Sequence, residues 1–452
     1  MKERIVQALE RAEKKGAIRA ADWRLVSTEK SRDERYYVKD DLELAREVEE
    51  VRHSLTLYID AEEGGKKTRG EASITLQPSF SDEEIDSKIA QALFAASISK
   101  NPWFDLPEAA AVKTALPASG FTALEGNARV ELCRQALYAP ARLQAVAQRQ
   151  AKEHRPRINA LELFISKTTR HFFNSKGAAF DTEEWKGYSE FIVEADSDLG
   201  GVELFDDIAF SEPDTARLEA ATGMRLAQVR DRAEAVPTPA LKDLPVILGG
   251  REAEDIFAWF FDNATAEAIF TKASSFTLGM NIQQSDPSDN VHDPLDIWAE
   301  AVIPGLPGSG PYDPDGFPLE PTQVVEKGIL KCLTGGIRYA DWLGQPRKGS
   351  FSLFSVSEGS LSMGELRSRP HLELVKFSDF RLETSTGDFG GEIRLGYWFD
   401  GEKRIPVTGG SISGSVAELR STMVRSRERG LGSRSLCPVA VKLAGVSITG
   451  AL

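Results

Sequence analysis

The sequence predicts an α+β fold, with helices and strands mixed in the first half and a mostly β region after it. Amphipathic helical patterns and strand-like runs alternate in the first half of the chain. Pro237, Pro239 and Pro245 then mark a boundary, beyond which strand and turn patterns dominate. We therefore expect an N-terminal α+β domain over residues 1–240 and a β-rich domain over residues 241–452.

In the first hundred residues the predicted order is helix, strands, helix. Apolar residues at helical spacing predict a helix over residues 2–15, and Ser81 followed by acidic residues is typical of a second helix start. Alternating or β-branched runs predict short strands at residues 23–26, 36–38, 55–59 and 72–76.

The remaining elements of the first half follow the same logic. Helical spacing predicts helices over residues 129–150, with a break at Pro140, and over residues 213–235. Strands are predicted at residues 160–165, 171–174 and 191–195. Past the boundary, a strand at residues 245–248 leads into a helix at residues 252–263.

Composition narrows the classes of function. The 452-residue chain has a net charge of −14, which argues against a nucleic-acid surface and against binding to an anionic membrane. Its three cysteines are widely spaced, so no disulfide framework is implied. No signal peptide or membrane-spanning stretch is recognisable. We expect a cytoplasmic protein.

The most informative stretch covers residues 377–416. Residues 393–399 are typical of a β-strand, and Asp400-Gly401 indicates a two-residue hairpin turn. Residues 386–391 are so rich in glycine that an irregular segment is expected. Closely packed turns explain these glycines better than a phosphate loop, because no Lys-Ser/Thr follows them. Candidate peptide-binding or structural residues here are Gly387, Asp388, Phe389, Gly390, Gly391, Gly396, Gly409 and Gly410.

Three motifs resemble the TldD/PmbA family, also known as the modulator of DNA gyrase family, which is linked to peptide maturation and proteolysis. The first is TGDF, a short gap, a Gly-aromatic pair and PV-x-GG-x-I-x-G, within residues 386–414. The second is Asp313-Pro-Asp-Gly316, with Asp315 where a Glu is usual, followed by residues 324–330. The third is the ending at residues 436–450, which is similar to the tail of the PmbA branch.

This resemblance implies an N-terminal α/β domain and a C-terminal domain of sandwich-like or barrel-like form that makes most of a dimer contact. Catalytic members of the family carry a His-Glu-x-x-x-His helix that binds zinc, with the Glu as general base. The corresponding helix here, residues 252–263, contains no His. The five histidines are His53, His154, His171, His292 and His371, and no two share a helical turn. The resemblance is therefore to the PmbA/TldE-like branch.

An acidic cluster and one cysteine could in principle carry metal binding or nucleophilic catalysis. Glu252, Glu254 and Asp255 could bind a metal, but a solvated first helical turn that complements the helix dipole is the preferred interpretation. Cys437 could be a nucleophile, but no catalytic signature surrounds it, and a buried apolar role is expected.

We expect a non-catalytic pseudoenzyme subunit, which guides a peptide substrate and forms a heterodimer with a TldD-like metallopeptidase. This chain would need no cofactor, and zinc would lie in the partner. The alternative is a stand-alone homodimeric binding or scaffold protein without peptidase activity. A diverged metallopeptidase with a non-standard zinc site is a weaker third interpretation.

Overall fold

The computed structural model describes residues 1–14, 20–147, 155–197, 200–284 and 293–451. Within these ranges the chain forms helices and three β-sheets, which confirms the predicted α+β class. The elements up to residue 240 are α1 (Lys2–Lys14), β1 (Asp22–Val38), β2 (Asp41–Glu63), β3 (Lys66–Leu76), α2 (Asp82–Ile98), β4 (Asn101–Pro102), α3 (Ala128–Ala147), β5 (Arg157–Asn174), β6 (Ala179–Ser197), β7 (Gly200–Phe210), α4 (Thr215–Ala233) and β8 (Val236–Pro237).

The first sheet has the strand order β4-β3-β2-β1-β5-β6-β7. Its helices cover one face, with α1 and α2 over Leu25 and Leu55 at one end and α3 and α4 over Leu163 and Phe191 at the other. The opposite face carries the alternate residues of each strand. Strand β7 closes this order, so one of its edges has no neighbour among the described strands.

The strands of this sheet are longer than the sequence predicts. The two short strands predicted at residues 23–26 and 36–38 are one strand, β1, which pairs with β5 in unbroken register. The residues between the two predicted strands are mostly polar. They remain in the strand because they form cross-strand ion pairs, such as Glu34 with Arg46.

Two other expectations in this half need correction. Helix α3 continues through Pro140, whose ring faces Gly223 of α4. The sequence analysis also predicts no strand at β7, in which only Leu204 and Phe210 are buried. The capped helix at Ser81 is confirmed, because its hydroxyl accepts the N–H of Glu84.

The second half is rich in short strands. Its elements are β9 (Val246–Gly249), α5 (Gly250–Asn263), α6 (Ala266–Phe270), β10 (Ile297–Glu300), β11 (Thr322–Glu326), β12 (Ile329–Leu330), α7 (Ile337–Trp342), β13 (Leu353–Val356), α8 (Met363–Leu366), β14 (His371–Leu382), β15 (Asp388–Phe399), β16 (Arg404–Thr408), β17 (Ser411–Ser415), α9 (Val416–Leu419), β18 (Val424–Arg425), β19 (Arg429–Leu431), β20 (Ser435–Pro438), β21 (Ala440–Leu443) and β22 (Ser447–Thr449).

These strands form two sheets, ordered β12-β11-β10-β13-β20-β19 and β18-β21-β9-β14-β15-β16-β8. Helix α5 packs into the core with strands of both sheets, and its Phe257, Phe260 and Phe261 are buried there. Strand β14 pairs with β9 only through residues 372–374, so its continuation has a free edge among the described strands.

The two halves share part of their packing. Leu395 and Tyr397 of β15 belong to the core formed by β5, β6, α3 and α4. The Tyr397 hydroxyl also donates a hydrogen bond to Asp231 of α4 at 2.7 Å. The domain division at residues 240 and 241 therefore stays a prediction, and the apolar packing crosses it.

The glycine-rich stretch is more regular than expected. Strand β15 begins at Asp388, so Gly390 and Gly391 are strand residues that pair with β17. A Cβ at Gly391 would lie 2.6 Å from the Phe377 ring, which explains why glycine is needed there. The hairpin after Phe399 has four loop residues rather than two, and Asp400 accepts the N–H groups of Glu402 and Lys403.

Candidate functional site: a charged cleft beside helix α5

The first turn of α5 is not the solvated acidic turn that the sequence predicts. Glu254 is only 2% exposed, and Glu252 and Asp255 are half-buried. The prediction failed because the turn lies between the loop at residues 432–435 and a cleft, and distant segments supply both.

Glu254 faces the loop and is fully engaged there. One carboxylate oxygen accepts the N–H and the hydroxyl of Ser433, both at 2.8 Å. The other accepts the Arg434 N–H at 2.9 Å and the Ser435 hydroxyl at 2.7 Å. A Cβ at Gly432 would approach this carboxylate to 2.5 Å, so only glycine fits beside it. Glu254 therefore holds the loop in place.

Glu252 and Asp255 instead face a cleft of about 710 Å³, which we call the α5 cleft. Burial raises the pKa of the Glu252 carboxyl to about 7 and that of Asp255 to about 6. Among the described residues, no side chain forms a hydrogen bond or ion pair with either carboxyl. Two such groups in one cleft are typical of a functional site.

The other walls of the α5 cleft come from five elements: residues 201–207 of β7, residues 376–380 of β14, Arg232 of α4, Arg394 of β15 and Glu194 of β6, whose carboxylate pairs with Arg157. Two free strand edges therefore border it, one from each half of the chain. A smaller cavity of about 280 Å³ also has Asp255 and Phe380 in its lining and extends past Leu382 and Thr384. Together the two cavities follow α5 and the free edge of β14.

Four basic side chains line the α5 cleft, and two of them form ion pairs with aspartates of β7. Arg251 pairs with Asp207 at 3.1 Å, and Lys376 pairs with Asp206 at 3.1 Å. Neither Arg232 nor Arg394 forms an ion pair with any described carboxylate. Sequence analysis missed both arginines, because their approach depends on the packing of α4 against β15 and no local pattern signals it.

The predicted site residues lie elsewhere. None of the eight candidate peptide-binding residues named above, which lie between Gly387 and Gly410, lines either cavity. Gly387 has a φ of 80° and lies against Trp259, and Phe389 is buried. Strand β15 has a neighbour on each side, so an extended peptide cannot pair with its backbone. Any contribution of these residues to peptide binding stays a prediction.

The Asp-Pro-Asp-Gly motif joins the two halves of the chain. Asp313 accepts the N–H groups of Asp315 and Phe317, both at 2.9 Å, which fixes the turn. Asp315 forms an ion pair with Arg24 of β1, and Gly316 lies against the ring of Phe172 of β5. The geometry gives this motif a structural role.

The residues of this chain do not fit the zinc site of catalytic family members. Among the described residues, no three His, Cys, Asp or Glu side chains are grouped closely enough to hold a metal ion. His154 and His292 lie outside the described residues. Cys437 is buried as predicted, and burial raises the pKa of its thiol to about 12, which disfavours the thiolate.

Comparison with known proteins agrees with this fold. Residues 242–450 match the family model described as the PmbA/TldA metallopeptidase C-terminal domain, which defines a metallopeptidase-related protein. Residues 242–450 therefore carry the C-terminal domain of the TldD/PmbA family, the family that the motifs predict. No curated protein matches its sequence significantly.

Solved structures share the whole fold at low sequence identity. A candidate modulator of a DNA gyrase from Thermotoga maritima is 15% identical, covers 100% of both chains and has a TM-score of 0.78. A candidate modulator of DNA gyrase from Bacteroides thetaiotaomicron is 16% identical over 100% of this chain and 99% of its own, with a TM-score of 0.77. TldE from Thermococcus kodakarensis is 14% identical over 99% of this chain and 100% of its own, with a TM-score of 0.75.

In the described part of the chain, no helix combines the length and apolar character needed to cross a bilayer.

Proposed function

We propose that this chain is the PmbA/TldE-like, non-catalytic subunit of a TldD-type zinc metallopeptidase complex that acts in peptide maturation and proteolysis. The observation that carries the proposal is helix α5. It occupies the position expected for the zinc-binding helix and borders the α5 cleft, but it presents Glu252 and Asp255 there instead of a pair of imidazoles. Zinc would be held by the partner subunit.

The contribution of this chain would be to hold an extended peptide. The free edges of β7 and β14 present unpaired backbone groups to the α5 cleft, and a peptide strand can pair with such an edge whatever its sequence. With pKa values raised to about 7 and about 6, a substantial fraction of Glu252 and a smaller fraction of Asp255 would be protonated near neutral pH. A protonated carboxyl can donate a hydrogen bond to a peptide carbonyl.

Native mass spectrometry of the complex purified from its own host tests this proposal. The expected result is a heterodimer with one zinc ion, whose partner carries the His-Glu-x-x-x-His motif. The purified complex should cleave an unstructured peptide, and the isolated chain should not. A zinc-free homodimer without cleavage would overturn the proposal and favour a stand-alone binding or scaffold protein.

A further inference from the structure

We propose that Arg232 and Arg394 form a subsite for the C-terminal carboxylate of an extended peptide bound in the α5 cleft. The inference rests on the proposed function, because it names the class of peptide that this subunit would hold. The groups that carry it are the two arginines, the edge of β7 and the carboxyls of α5.

The two guanidinium groups are brought together without an internal counter-ion. Arg232 lies in the last turn of α4, and its Nη1 donates to the backbone carbonyl of Glu203. Burial, and then the charge of Arg394, lower the pKa of Arg232 below its usual range. Glu203 attracts Arg232 but forms no ion pair with it among the described contacts. A bound anion would relieve the electrostatic repulsion between the guanidinium groups of Arg232 and Arg394.

The other cations of the cleft support the assignment by contrast. Arg251 and Lys376 line the same cleft, but each forms an ion pair: Arg251 with Asp207, and Lys376 with Asp206, which also pairs with Arg225. Arg232 and Arg394 are therefore the two cations of the cleft that have no carboxylate partner among the described ion pairs. Two guanidinium groups can each bind a carboxylate through paired N–H donors, which makes them suited to a chain terminus.

Strand β7 supplies the direction in which a peptide would extend. Glu203 lies beside Arg232, whereas Asp207 pairs with Arg251 in the same turn as Glu252. These two positions are four residues apart on one strand, or about 13 Å at the usual rise. A peptide whose terminal carboxylate binds the arginines would thus place its fourth or fifth residue from the C-terminus beside Glu252.

Fluorescence anisotropy with the full-length chain tests the subsite. The probe is a fluorescein-labelled alanine-rich heptapeptide, compared as the free acid and as the C-terminal amide. We expect the acid to bind at least tenfold more tightly than the amide. Arg394→Gln should remove this difference, Arg394→Lys should restore part of it, and Arg232→Gln should act like Arg394→Gln.

The matched control is Arg170→Gln, which removes an exposed arginine of β5 that pairs with Glu184 away from the cleft. It should keep the preference for the acid. Equal affinity of acid and amide for the native chain would overturn the proposal, as would retained preference in Arg394→Gln. Tight binding of an amidated peptide with an internal Asp would also overturn it, because the pair would then accept any carboxylate.

The assembly measurement separates this failure from failure of the proposed function. If the heterodimer with one zinc ion forms but acid and amide bind equally, only the carboxylate subsite is wrong. If the subsite is confirmed but no metallopeptidase partner is found, the chain is a peptide-binding protein and the proposed function is wrong.

Discussion

The two sides of the first turn of α5 place similar carboxylates in opposite surroundings. Glu254 accepts four hydrogen bonds from one loop, so its negative charge is stabilised although it is buried. Glu252 and Asp255 have no described partner, and burial raises their pKa values. One short acidic sequence therefore supplies both a carboxylate that anchors a loop and two carboxyls that line the α5 cleft.

Removal of the anchor should have the largest effect. Glu254→Ala would leave two backbone N–H groups and two hydroxyls without their acceptor, and should lower the free energy of unfolding by roughly 3–5 kcal/mol. Urea unfolding monitored by tryptophan fluorescence gives this value. Glu254→Gln keeps the shape and part of the hydrogen bonding, so its loss should be smaller. A loss below about 1 kcal/mol for Glu254→Ala would contradict the anchoring role.

Substitution of a carboxyl that faces the α5 cleft should instead raise the free energy of unfolding. Because the folded-state pKa of Glu252 is raised, its ionisation destabilises the folded chain as pH increases from the unfolded-state pKa through about 7. Glu252→Gln should therefore raise the free energy of unfolding by about 1–3 kcal/mol at pH 8 and leave it unchanged at pH 4. Unfolding curves across this pH range are the measurement.

Asp255→Asn sharpens the same test, since its stabilising effect should be complete at a lower pH, above about 6. An effect of equal size at pH 4 and pH 8 in either variant would show that titration is not its cause.

The smallest effect should come from the loop. Ser433→Ala removes one of the hydroxyl donors to Glu254 and keeps the backbone N–H, so it should cost about 0.5–1.5 kcal/mol. The same urea experiment measures it, with Ser378→Ala on the exposed part of β14 as a control outside this network. A loss as large as that of Glu254→Ala would mean that Ser433 has a further role.

Local sequence patterns predict many of the helices and strands. Features that depend on packing between distant segments could not be predicted. The cap at Ser81 and the helix of α5 follow from adjacent residues, so they could be predicted. The continuity of β1 depends on partners in β2 and β5 that lie tens of residues away. Without them, its polar centre resembles a turn.

Long-range packing also explains why the candidate site could not be predicted from the sequence. The acids of the first turn of α5 were recognised, but their burial depends on residues 432–435 and on β7, which no neighbouring sequence reveals. Arg232 and Arg394 are 162 positions apart, and each has the local pattern of an ordinary surface cation. A single sequence identifies such a pair only after the fold has brought the two together.

The core that Leu395 and Tyr397 share with the N-terminal sheet has a practical consequence for any attempt to dissect this chain. The recognisable family segment starts at residue 242, but a fragment begun there would expose both side chains to water and strand the Tyr397 hydroxyl without Asp231. The boundary of the family segment therefore differs from the boundary of the unit that packs together. The smallest piece suited to expression, crystallisation or grafting is the whole chain.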